Sequence, residues 1–195
     1  MYIELTDHLR CPEDHEESFL VLLPDQVEER SVRAGQLACP VCGRTFALQD
    51  GVLDVGGAPD RPEHDAGPGA DALTALVGLG GPGGYLVVVG GPGGVWQELA
   101  AANRGVGMVL VNPPAEVRDE PGMSVLRGGV LPLKSRTMRG VILGEGYGSD
   151  AGWIEEAARV VLPGLRVVGQ GPDPAHDRID LMASAGDVWV GSPRR

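Results

Sequence analysis

From residue 72 onward the apolar positions alternate between two periods. "ALTALVGL" (72–79) sets Leu73, Leu76, Val77 and Leu79 near helical spacing. "YLVVV" (85–89) and "GMVLV" (107–111) are unbroken apolar runs, the pattern of strands buried on both faces. "GGPGG" follows the first run and leads into "VWQELAAAN" (95–103), which predicts a helix. "NPP" ends the second run. "SVLRG" and "RGVILG" (139–144) predict two more strands. "GWIEEAARVV" (152–161) places Trp153, Ala157, Val160 and Val161 on or near one side of an amphipathic helix. "PGL" is expected to end that helix and "RVVGQG" (166–171) to return as a strand. "RIDLMASAGDVWVGS" (178–192) predicts a short helix or a hairpin that closes the sheet. Strands alternating with helices indicate an α/β fold with a mostly parallel sheet and helices on both faces.

The first part of the chain reads differently. Residues 1–55 are acidic and hold all three cysteines. "VGGAPDRPEHDAGPGAD" (55–71) is dense in Gly, Pro and charge, the composition of a linker. The expected division is therefore a small metal-binding domain over 1–55, a linker over 56–71 and an α/β domain over 72–195.

Composition narrows the functions available. The 195 residues carry a formal net charge of −11, with one lysine, Lys134, and no Lys/Arg run beyond the pair Arg194 and Arg195. Nucleic-acid affinity comes mostly from phosphate neutralisation, so direct binding to nucleic acid is not expected. No stretch of 18 apolar residues predicts a membrane span, and "MYIELTDHLRCPEDH" lacks the basic and apolar regions of a signal peptide. Three cysteines, two of them close together, suit a reducing compartment and a metal site, which places the protein in the cytoplasm.

Cys39 and Cys42 in "ACPVCGRTF" form a C-P-x-C-G knuckle that presents two thiolates at a hairpin tip. Thiolates suit Zn²⁺. Upstream, Cys11 opens "CPEDH", where a second knuckle would put cysteine at position 14; that position holds Asp14, with His15 beside it. Histidine is the commoner partner of thiolates, so the expected set is Cys11, His15, Cys39 and Cys42, with Asp14 as the alternative to His15. Four protein ligands make a closed, structural site. A unit of this size has little core, and a metal staple answers that need.

"LTDHLRCPEDH…ACPVCGRTFALQDGVLDV" resembles the Trm112-like zinc-ribbon proteins, which have a Leu-rich start, two C-P-x-C knuckles and a D-G-(I/V) tail. Phe46, Asp50, Gly51, Val52 and Leu53 fit that tail. The resemblance implies an activating partner of methyltransferases, or a ribbon fused to one.

"YLVVVGGPGGVWQEL" is a strand, a glycine-rich turn and a helix, an arrangement that favours an anion near the helix start. No G-K-[ST] follows, so it is not a P-loop, and Gly91, Gly93 and Gly94 miss the dinucleotide spacing. Residues 71–171 resemble the class I S-adenosylmethionine (SAM) methyltransferase fold, with "WIEEAARVVLPGLRVVGQG" the closest stretch. The resemblance implies a cofactor site at Gly90, Gly91, Gly93, Gly94 and Asn112. The family's carboxylates are replaced: Val88 stands in the first strand, Asn112 at the end of the second, Gly129 after the third and Arg139 or a neighbour before the fourth.

Losing several such contacts points to a non-catalytic accessory or scaffolding subunit with a protein partner and no catalytic residue. The alternative is a SAM-dependent methyltransferase acting on RNA or protein. Glu145, with Tyr147 near it, is the remaining acid/base candidate just past a strand; a surface carboxylate is the plainer reading. His8, His64 and His176 have no partners at metal or triad spacing. Trp153 and Trp189 read as core or interface residues, and the bulk of Trp96 is expected to fill part of an emptied cofactor pocket.

Overall fold

The computed structural model describes residues 1–60 and 67–194. His64 and the middle of the expected linker lie outside the described residues. The described residues form a single eleven-stranded sheet. Its first strands are β1 (Val21–Glu28), β2 (Ser31–Ala38), β3 (Thr45–Gln49) and β4 (Val52–Asp54), joined as an antiparallel meander. A 3-10 turn, Ile3–His8, precedes them. Then come α1 (Ala70–Val77), β5 (Tyr85–Val89), α2 (Trp96–Ala102), β6 (Gly107–Val111), β7 (Met123–Arg127), β8 (Met138–Leu143), α3 (Ala151–Val160), β9 (Val161–Gln170), β10 (Ile179–Ala185) and β11 (Val188–Pro193).

The spatial order is β1-β2-β3-β4-β7-β6-β5-β8-β9-β11-β10. The run β7-β6-β5-β8-β9 is parallel throughout. Read from β5, this is the 3-2-1-4-5 order of a Rossmann-like doubly wound sheet, and strand order reverses between β5 and β8. The fold is α/β with a mostly parallel sheet in its larger part. The small meander joins it through β4, which pairs parallel with β7 at Val52↔Val125 and Leu53↔Leu126. The two segments read from the sequence as 1–55 and 72–195 thus share one sheet.

The unbroken apolar runs are explained by burial on both faces. On β5, Val87 and Val89 point into one core and Leu86 and Val88 into the other. The second core lies under α1 and α2, through Leu73, Val77 and Leu99. The first lies under α3, through Trp153, Ile154 and Ala157. It continues into the meander, where Leu5, Leu9, Leu48 and Leu53 pack in the same cluster as Leu126, Leu131 and Leu133. A unit too small for its own core completes one by sharing.

Local signals fix the helix ends. Asp150 caps α3 by accepting from the NH groups of Gly152 and Trp153. Gly78 ends α1 at φ 61°, a left-handed cap that suits glycine. The "PGL" segment behaves differently from expectation. β9 starts directly after α3, and Pro163 and Gly164 sit inside a register break between Met138↔Val161 and Gly140↔Arg166. The extra residues leave the ladder as an irregularity, so the strand continues past them. The C-terminal segment is a hairpin, with β11 antiparallel to both β9 and β10.

Candidate functional site

Cys39 follows β2, and Cys42 sits in the turn before β3. Gly43, at φ 72°, closes that turn, and its NH donates to the Cys39 carbonyl at 3.0 Å. Cys11 is brought alongside by the bridge Arg10↔Phe19 and by its own NH, which donates to Ser18 O at 2.9 Å. The ligand atoms of Cys11, His15, Cys39 and Cys42 all lie within 4.8 Å of one another. Asp14 is not in the cluster; His15 is.

The distances suit a tetrahedral zinc site. Zn–S bonds of about 2.3 Å place two sulfurs about 3.7 Å apart, and a sulfur and an imidazole nitrogen about 3.5 Å apart. The Cys11 and Cys42 sulfurs are 3.7 Å apart, and Cys39 Sγ is 3.4 Å from His15 Nε2. The Cys11–Cys42 separation is far from the S–S length of a disulfide, and all three cysteines are free. His15 Nδ1 lies 2.7 Å from the Glu16 carbonyl, an arrangement that fixes the tautomer and leaves Nε2 for a metal. That oriented ring depends on a backbone oxygen, which no residue type in the sequence announces.

The thiols are electrostatically unequal. Burial pushes the Cys11 thiol up to about 12. Burial also acts to raise Cys39, but the NH groups of Cys42 and Val41 face its sulfur and hold it down to about 6; the Val41 contact is 3.4 Å. Burial thus works against ionisation at Cys11, backbone NH groups work for it at Cys39, and a bound cation would favour the thiolate at both. This donor set could hold Zn²⁺, with every position taken by protein.

The glycine-rich loop lies at the carboxyl end of β5, beside the strand-order reversal, where ligands bind in open α/β sheets. Gly91–Val95 form a 3-10 turn leading into α2. Two groups close over the loop. Gly90 is at φ 74°, and a Cβ there would meet the Tyr147 ring at 2.7 Å. Pro113 approaches Gly93 less closely, 3.0 Å from its Cβ position. Tyr147 is buried and packs edge-on against Trp153, with ring centroids 4.8 Å apart.

Asn112, at the end of β6, is engaged with β7. Its Nδ2 donates to Gly128 O at 2.8 Å, and its Oδ1 accepts from the Gly128 NH at 3.0 Å. Its backbone is left-handed, at φ 49°. Val88 is fully buried in the α1/α2 core, and Gly129 lies against Gly57.

Trp96 packs on the α1/α2 core, and the aromatic ring on Gly90 is that of Tyr147. The sequence offers both aromatics near glycines, and only the fold brings the later one over Gly90. Arg139 stands at the amino end of β8, opposite the loop, where it donates to the carbonyls of Gly80, Gly81, Pro82 and Gly83.

The other candidates scatter. Glu145 is exposed just past β8, and its NH donates to Gln170. His8 packs edge-on to Tyr85, and its Nδ1 has no hydrogen-bond partner among the described residues. His176 Nδ1 accepts from the Arg178 NH. Trp189 is wholly buried and donates to Gly148 O at 3.0 Å. Among the described residues, no helix is long and apolar enough to cross a membrane.

No family model matches the chain, and no curated protein matches it. Solved structures overlap with about half of it. The geranyl diphosphate C-methyltransferase of Streptomyces coelicolor, with bound Mg²⁺, geranyl diphosphate and S-adenosyl-L-homocysteine, aligns over 51% of this chain and 43% of its own at 20% identity and a TM-score of 0.44. A chain from the complex of the Haloferax volcanii Trm112 methyltransferase activator with a candidate methyltransferase aligns over 51% and 50%, at 23% identity and a TM-score of 0.42. A methyltransferase assigned to an antibiotic pathway of Anabaena variabilis aligns over 52% and 43%, at 21% identity and a TM-score of 0.42. The chain thus spans half or less of the length of these structures.

Proposed function

We propose that this chain is a non-catalytic accessory or scaffolding protein that binds a protein partner. In this reading residues 1–55 are a Trm112-like ribbon stapled by structural Zn²⁺. Residues 72–195 are a degenerate methyltransferase-like domain that has lost SAM, and 56–71 join the two. The observation that carries the reading is Asn112, whose amide donates to and accepts from Gly128 at the place where the family's ribose-binding carboxylate is expected. Tyr147 on Gly90 supports it, because the backbone that would approach a ligand is already in contact with an aromatic ring. The acidic charge disfavours a nucleic-acid substrate. Reduced thiols go with a cytoplasmic location.

The rival reading, a SAM-dependent methyltransferase acting on RNA or protein, draws on one feature. The loop keeps its place at the carboxyl ends of β5 and β8, where a cofactor would sit. Calorimetric titration of the zinc-loaded protein with SAM and with S-adenosylhomocysteine separates the two. The accessory reading expects no heat of binding at millimolar cofactor. Micromolar binding of either compound would establish the methyltransferase reading in its place.

A further inference from the structure

At the opposite end of the sheet from the glycine-rich loop, beside the start of β9, lies a groove of about 740 Å³. Four arginines line it: Arg136, Arg159, Arg178 and Arg194. Two carboxylates of α3, Glu155 and Glu156, face them. In a chain of net charge −11, the lining itself holds four arginines against two carboxylates, with Asp180 and Glu17 standing beside them. Ala158, Val161, Pro163 and Pro193 supply an apolar floor.

The four guanidiniums are not equally committed. Arg159 is taken up inside the protein: it forks onto Glu156 at 2.7 and 2.8 Å and donates to the carbonyls of Leu131 and Leu133. It also absorbs the charge of Glu156. Arg178 reaches Glu155 only at 3.9 Å, with both side chains more than half exposed. Arg194 pairs with Asp180 at 2.7 Å, also in the open. Arg136 makes no side-chain hydrogen bond or ion pair among the described residues. Its backbone is held left-handed at φ 56° by its NH, which donates to Arg159 O at 2.9 Å. A position that glycine would occupy more easily carries an arginine aimed at solvent.

We propose that this groove docks an extended acidic segment of the partner protein, an inference that rests on the accessory reading above. The chemistry is that of an interface rim. Exposed arginines with weak or absent partners capture carboxylates at little desolvation cost, and the proline floor receives the apolar parts of a peptide. A small oxyanion is the less suitable occupant. The least exposed guanidinium of the groove, Arg159, is already saturated, so no sheltered donor remains to hold a compact ion. The overall negative charge sharpens the test, since an acidic probe has no diffuse attraction to this protein and binds only where arginines are gathered.

The test is fluorescence anisotropy of a labelled poly-glutamate peptide with the full, zinc-loaded chain. Saturable binding that weakens with salt is expected, together with a loss of about tenfold or more in affinity in the Arg136→Glu/Arg178→Glu double variant. Both side chains are exposed, so zinc content and melting temperature should stay as in the wild type. No binding, or equal binding by the double variant, overturns the proposal. Displacement of the peptide by millimolar inorganic phosphate also overturns it, by assigning the groove to a small anion. Failure here with no SAM binding leaves the accessory reading standing with another docking face. SAM binding in the calorimeter removes that reading whatever the peptide does.

Discussion

The metal cluster and the glycine-rich loop are two candidate sites in one chain, and they differ in which way their groups face. In the cluster, four donors from two separated segments converge on one point, and backbone groups outside it orient them: the Glu16 carbonyl turns His15, and the Val41 NH faces Cys39. In the loop, the groups that would meet a ligand meet the protein. Asn112 turns onto Gly128, and Tyr147 lies on Gly90. Ligand atoms gathered on one point gain most when a cation joins them, and such binding adds to the stability of the fold. A loop whose polar groups satisfy each other needs no ligand to be stable.

The sharpest way to break this comparison is Cys39→Ser. Cys39 is the ligand with the most support from backbone NH groups, and its loss leaves Cys11 buried without a cation. Structural zinc binding is worth roughly 10 kcal/mol near neutral pH in small domains. The expected outcome is loss of stoichiometric zinc by metal analysis, with a large fall in melting temperature. Chelator treatment of the wild type should give the same fall. A variant that melts like the wild type would mean that the cluster is a set of ordinary thiols.

Asn112→Ala probes the other side. It removes both hydrogen bonds to Gly128 and leaves that NH and carbonyl without their partner. The expected cost is about 2 kcal/mol by denaturant unfolding, with no gain of SAM binding because Tyr147 still covers Gly90. A stability unchanged from the wild type would show that the amide does not hold the loop closed.

Much of this was legible in the sequence, and the reasons are specific. Strands β5, β6 and β8 announce themselves because burial on both faces requires unbroken apolar runs. The candidate ligands Cys39 and Cys42 are close in sequence, so their chemistry shows as spacing, and the preference of thiolates for imidazole pointed to His15, which the fold brings into the cluster in place of Asp14. The joining of the meander to the larger sheet was not legible. β4 is three residues long, and its pairing with β7 is decided by registry between segments about seventy residues apart. Tyr147 on Gly90 is equally non-local. Trp96 is nearer the loop in sequence, but helical phase turns it to the other core.

The smallest expected effect concerns how the loop that carries His15 is tethered apart from the candidate metal site. Glu17 lies between His15 and Phe19, and its carboxylate accepts from the Ser135 NH at 3.1 Å and the Ser135 hydroxyl at 2.7 Å. Arg159 approaches it at 3.8 Å. Burial acts to raise its pKa, but Ser135 and the nearby Arg159 and Arg10 outweigh burial and hold it below the ordinary carboxylate range. A carboxylate depressed in the folded state contributes stability that is fully present above its unfolded pKa and is lost as pH falls through its folded one. The side chain is 38% exposed, so solvent screens the interaction and about 0.5 kcal/mol is expected. Glu17→Gln should therefore be slightly less stable than the wild type at neutral pH. The gap should close as pH drops below the usual carboxylate range, with zinc content unchanged. A gap that persists at low pH would assign the loss to shape and hydrogen bonding instead of charge. A loss of zinc at neutral pH would show that the cluster depends on this tether as well as on its ligands.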